Sequence, residues 1–182
     1  MSLDITVNAG AVPEPQYISI QDVINKSQKQ GNPHAKRARG ITIPKLIIVP
    51  HLSYEQQRGR KGPEFKFTNG TLTLTLHQEM FIATHPSDCN KNIMINHENG
   101  HVSDYQRIMQ LMETQIKANK FIQDNLINPQ WKPSSKFRET QSQINKEISG
   151  IFKRLVNQSN STRDTSDEYD RMDREMKKCE SA

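Results

Sequence analysis

"FKFTNGTLTLTLHQEMFIA", residues 65–83, alternates apolar and polar side chains over most of its length. Leu72, Leu74 and Leu76 fall on one face and Thr71, Thr73, Thr75 and His77 on the other, the pattern of a half-buried β-strand. Asn69-Gly70 stands between two such runs and predicts a tight hairpin, hence antiparallel strands, the last of which could bind an extended peptide by strand addition. Upstream, "ITIPKLIIVPHLSY" (41–54) is rich in Ile and Val with prolines at its interruptions, which suits an edge or bent strand. "RGRKGPE" (58–64) is turn material.

Beyond Ser87 the period changes. Ile93, His97, His101, Tyr105, Ile108 and Met112 recur at threes and fours, which predicts one face of a long helix from about 87 to 126, broken by "NPQWKP" (128–133). "THPSD" (84–88) offers Pro86 and the caps Ser87 or Asp88 before it. A second helix is expected over about 135–158, with Phe137, Ile144, Ile148, Ile151 and Leu155 on its apolar side; "NQSNSTRDTSD" (157–167) reads as a polar loop and "EYDRMDREMKK" (168–178) as a last short helix. Before the strands, residues 1–16 read as an extended arm, "ISIQDVINKSQKQ" (18–30) as a short helix and "GNPHAKRARG" (31–40) as a loop. Strands first and helices afterwards give an α+β fold: a small antiparallel, hairpin-rich sheet packed on a long helix and further C-terminal helices. The expected organisation is an arm and basic loop over 1–40 and one domain over 41–182, with strands at 41–84 and a helical part at 134–180.

Composition restricts the function classes. Of 182 residues, 33% are hydrophobic and 25% charged, so the core is thin and much helical surface is solvated. No apolar run is long enough for a membrane span, and "MSLDITVNAG" lacks the plan of a signal peptide. A leader removed upstream would leave that start unchanged, so export stays open. The net charge is +5, and Lys26–Lys66 holds ten Lys or Arg against two acids. That stretch could meet an anionic partner, but it is nearly free of aromatic residues, so the stacking platform of a single-strand binder is missing and solvated loop charge is the simpler reading. Cys89 and Cys179 have no C-x-x-C spacing; they can form one disulfide, tying the start of the long helix to the C-terminal tail in an oxidising compartment, or stay as two unpaired cytosolic cysteines. Nucleotide fingerprints, phosphate loops and G-x-S-x-G elbows are absent from the sequence.

The chemistry concentrates in "NIMINHENGHVSDYQRIM" (92–109), where His97, Glu98 and His101 spell H-E-x-x-H. Residues four apart on a helix project side by side, so both imidazoles can ligate one ion. Glu98, on the neighbouring flank, can hold the attacking water, take its proton and pass it to the leaving amine. Gly100 is poor for a helix interior and permits a close approach beside His101. Two hydrogen-bonded histidines at a helix–sheet interface, with Glu98 as a surface charge, are the plain structural alternative. Burying such a group without a cation to satisfy it is costly, which favours the metal.

"HENGHVSDY" (97–105) resembles the active-site helix of zincin metallopeptidases. More narrowly, "HENGH" followed by a long helix and "EYDRMDRE" (168–175) is similar to a family of bacterial predicted zinc proteases that pair H-E-x-G-H with a late Tyr-Asp-x-x-Thr-x-His. The resemblance spans roughly 72–175. Tyr169 and Asp170 match, whereas Asp173 stands in place of the Thr and Glu175 in place of the His. It implies a zincin-like fold, Zn2+ held by His97 and His101, and a third ligand from a later helix. Glu175 is that expected ligand, a Glu-for-His exchange that zinc permits, with Asp170, Asp173 and Glu147 as alternatives.

Asp104, seven residues past His97, shares its face and would ligate only if the helix bent; its expected role is to accept a hydrogen bond from the non-ligating nitrogen of His101. Tyr169 or Tyr105 can donate to the oxyanion, although Tyr105, one turn past His101, has packing as its simpler role. His77, on the Thr face of its strand, could contact substrate, although half-exposed surface is its simpler reading; His34, His51 and His85 lie in loops without carboxylate companions at ligand spacing. The activity expected is zinc-dependent hydrolysis of a peptide or protein substrate. The alternative is a non-catalytic basic binding or effector module of a bacterial assembly, with the motif structural or vestigial. Substrate, oligomeric state and compartment stay open.

Overall fold

The structure is a computed structural model describing residues 2–85 and 87–181; Pro86, expected just before the long helix, lies outside the described residues. Strands β1 (Ser2–Asn8), β2 (Pro15–Ile18), β3 (Gly40–Gly59), β4 (Gly62–Ala83) and β5 (Lys132–Pro133) form one five-stranded sheet. The helices are α1 (Ile20–Lys29), α2 (Asp88–Ala118), α3 (Lys120–Ile122), α4 (Ser134–Arg163) and α5 (Ser166–Glu180). The fold is thus mixed α and β, but the expected antiparallel sheet is corrected by its pairing. β1 runs parallel to β4 from Ser2↔Asn69 to Asn8↔Thr75, and β2 runs parallel to it from Pro15↔Met80 to Ile18↔Ala83. β5 adds a two-residue antiparallel contact at Phe65 and Glu64.

The expected turn at Asn69-Gly70 does not form. Both residues lie inside β4, opposite Ser2 and Leu3 of β1. Gly70 instead admits a close approach of β3, because a Cβ there would collide with Leu52. The chain turns at Arg60-Lys61, and Gly62 takes a φ of +126° that L side chains rarely adopt. β4 is therefore a central strand, paired with β1, β2 and β3, and cannot take up a peptide at its edge. The alternation itself holds: Leu72, Leu74 and Leu76 are buried, Thr71, Thr73 and Thr75 half-buried, and His77 exposed. Burying three leucines contributes about 1.5–3 kcal/mol each.

The chain divides into two compact units. The first comprises Met1–Ala9, Leu46–Leu76 and Ile108–Leu155. It buries Met109, Met112 and Ile116 of α2, Ile144, Ile148 and Ile151 of α4, and Phe67, whose ring lies 4.5 Å from that of Phe137. The long helix stops earlier than expected because Asn119 adopts an extended conformation and its side chain caps α3, accepting from the Ile122 N–H.

The second unit comprises Gly10–Lys45, His77–Arg107 and Val156–Ala182. Its core gathers Val23, Ala38, Ile41, Met80, Ile82, Met94 and Val102. Ser87 starts α2, its hydroxyl accepting from the Asn90 N–H and its carbonyl from the Lys91 N–H, while Ser19 and Thr165 cap α1 and α5. Cys89 and Cys179 are joined in a disulfide between the first turn of α2 and the last of α5.

Among the described residues no helix is long and apolar enough to cross a membrane. The basic stretch is partly committed internally, with Arg37 donating to Asp170 at 2.6 Å and Asp173 at 2.8 Å.

Candidate metal centre

His97, Glu98 and His101 lie on one turn of α2 in the second unit, and all three are buried, at 6%, 2% and 4% exposure. Their ligand atoms lie within 4.8 Å of one another, so this buried group could hold a metal ion. The two rings meet edge to face with centroids 5.1 Å apart. Their Nε2 atoms converge on one oxygen, Asp164 Oδ1, at 3.4 Å from His97 and 3.0 Å from His101.

Asp164 sits in the bend between α4 and α5, and its neighbours place it there. Arg163 donates to Asp104 at 2.7 Å, and its guanidinium lies over Gly100, where a Cβ would meet it. The glycine of the motif thus admits an arginine, which anchors the end of α4 on α2 and leaves the next residue facing the histidines. Asn32 donates to Asp164 Oδ2 at 3.3 Å and to the Tyr169 hydroxyl at 3.0 Å. Tyr169 is buried, and its ring lies 6.0 Å from that of His97.

Glu98 is held from the strand side. Thr42 of β3 donates its hydroxyl to Glu98 Oε2 at 2.9 Å, and Gly40 lies so close that a Cβ would stand 2.8 Å from Glu98 Cγ and Oε1. Glu98 is therefore a buried carboxylate aligned by the start of β3, not the surface charge of the structural alternative.

Electrostatics follow from this crowding. Burial pushes the Glu98 carboxyl above its ordinary value against the pull of His101 and His97. Burial acts the same way on Asp164, but its contacts with His101 and His97 outweigh it and hold that carboxyl well below the usual range. For His97, burial disfavours the charged ring, yet Asp164, Glu98 and Glu168 together raise it. Burial, with Asp164 nearby, raises the Tyr169 phenol. Two carboxylates, Glu98 and Asp164, thus face two imidazoles, and this donor set of nitrogens and carboxylate oxygen fits a divalent cation.

The expected third ligand is corrected. Glu175 points to Arg171, 2.6 Å away, and is not brought to the histidines. Asp170 and Asp173 are bound by Arg37, and Glu147, in the first unit, accepts from Gln143. Asp104 does not orient His101; its carboxylate is taken by Arg163, with Arg107 3.5 Å away. Tyr169 does reach the site, whereas Tyr105 donates to Asn160 at 2.8 Å.

Sequence reasoning missed Asp164, Glu168, Thr42 and Asn32. One signal was available: Thr165-x-x-Glu168 has the form of a capping box, and Thr165 does accept from the Glu168 N–H. That marks a helix start with two acids flanking the cap. No family model matches the chain, and no curated protein or solved structure matches it either.

Proposed function

We propose that this protein is a zinc-dependent hydrolase of the metallopeptidase class, with His97, His101 and Asp164 holding the ion and Glu98 acting as general base. The observation that carries the reading is the convergence of two imidazole Nε2 atoms and one carboxylate oxygen beside a buried glutamate. Imidazole nitrogens with one carboxylate suit zinc, which would supply Lewis acidity toward a carbonyl and toward water. Glu98, fixed by Thr42, takes the proton of the attacking water and delivers it to the leaving amine; its raised affinity for protons suits both halves of that task. The Tyr169 hydroxyl, beside Asp164, donates to the developing oxyanion. Among the described residues β3 pairs with β4 alone, so β3, which also holds Glu98, is the edge along which an extended substrate would align. The disulfide suits a protein that works in an oxidising compartment.

Zinc analysis of the purified protein tests this reading. One zinc per chain is expected, lost in His97→Ala and in Asp164→Ala, together with peptide cleavage. Wild-type protein that stays folded, takes up no zinc and cleaves no peptide overturns the reading and favours the basic binding module.

Gly40→Ala probes the general base from outside the ion. The added methyl displaces the Glu98 carboxylate by a few tenths of an ångström or more, since it would otherwise stand 2.8 Å from Oε1. Zinc content should be unchanged while kcat falls about 10–100-fold, the cost of misplacing a catalytic group. An unchanged kcat would show that Glu98 is not held by this contact.

A further inference from the structure

The two histidines of the motif are not held alike. His97 Nδ1 lies 3.2 Å from Glu168 Oε1, on the side of the ring away from Asp164. Glu168 is in turn gripped by Arg171, which donates from Nη2 to Oε1 at 2.6 Å and from Nε to Oε2 at 2.9 Å. Arg171 is braced by Glu175 through Nη1 at 2.6 Å. His101 Nδ1, by contrast, is buried and has no hydrogen-bond partner among the described residues, while its Nε2 makes the shorter contact to Asp164.

A neutral imidazole carries one proton, and the nitrogen that bears it cannot ligate a metal. At His97 the nearer carboxylate is Glu168, which draws the proton to Nδ1 and leaves the Nε2 lone pair facing the site. At His101 the carboxylate contact among the described residues is at Nε2 instead.

We propose that Glu168, clamped by Arg171 and Glu175, is the positioning residue that presets His97 for metal binding. This proposal rests on the metal reading for its consequence but not for its geometry. Glu175, expected in the sequence as a ligand, thereby acts at a distance from the ion, through Arg171, Glu168 and His97. An outer carboxylate of this kind fixes ring orientation and contributes about 10–100-fold to metal affinity.

Two measurements on the full chain test it. Nitrogen-15 NMR of the metal-free protein should show the His97 proton at Nδ1. Glu168→Ala should move the His97 proton to Nε2, toward Asp164, and weaken zinc binding about 10–100-fold. Arg171→Gln, which keeps Glu168 and its helix cap, should change both in the same direction by less, and it carries the test alone if Glu168→Ala does not fold. Wild-type tautomers and wild-type zinc affinity in the folded variants overturn the proposal. Should the wild-type protein bind no zinc while Glu168→Ala still moves the His97 proton, the metal reading fails and the positioning role stands.

Discussion

Glu98→Gln is expected to bind zinc as the wild-type protein does and to cleave peptides about 10²–10⁴-fold more slowly, the usual contribution of a positioned general base. Gln fills nearly the same volume and still offers an oxygen to the Thr42 hydroxyl, so the start of β3 and the turn of α2 should keep their geometry. What is lost is the capacity to accept a proton. Stability should not fall with activity: burial raises the Glu98 carboxyl above its ordinary value, which means the folded state disfavours its ionised form. At pH values above the carboxyl's ordinary range, the unfolded chain gains from that ionisation and the native state loses. Removing the charge relieves the penalty, so the variant should melt no lower than wild type. Zinc content, a peptide-cleavage assay and a thermal melt on the same preparation separate these effects. Wild-type cleavage by Glu98→Gln would sink the assigned role, and a lowered melting temperature would show that the carboxylate is structural.

Local periodicity made part of this site legible in the sequence. The spacing of His97 and His101 places them on one helix turn whatever surrounds them, and the alternation of Leu72, Leu74 and Leu76 likewise survives whichever strand lies alongside. The partners of those elements were harder to read, because pairing direction is a tertiary property. Leu3, Ile5 and Val7 alternate with Asp4 and Thr6, a strand pattern hidden in what reads as an arm, and it is this segment that lies parallel to β4 and draws Asn69-Gly70 into the strand. Asp164 was hidden for a related reason. It lies in a polar bend with no period of its own, and it reaches the histidines only because Arg163 anchors the end of α4 over Gly100. Its place in a motif suggests Glu175 as a ligand, but Arg171, one turn before it, binds it first.

Removing the disulfide, as Cys89→Ser with Cys179→Ser, is expected to lower stability by about 2–5 kcal/mol, the range observed when native bridges are deleted. The two cysteines are 90 residues apart, and closing a loop of that length restricts the unfolded chain by about 4–5 kcal/mol in the chain-entropy account. The bridge also has a specific mechanical task. It fastens the last turn of α5 to the first turn of α2, and the first turns of α5 carry Glu168 and Tyr169 against His97. Without it, α5 is still held by the Arg37 pairs with Asp170 and Asp173, but these are half-exposed and screened by solvent, so they hold it weakly. Loosening should therefore begin at the C-terminal end of α5 and reach the metal centre last. Urea unfolding should show a lower midpoint for the double variant that reductant does not change, whereas reductant should bring the wild-type protein down to the same value. Hydrogen exchange should quicken in α5 before it does in the 97–101 turn of α2. Equal midpoints for wild-type protein with and without reductant would show that the bridge contributes nothing to the fold, and would remove the support for the proposed oxidising compartment.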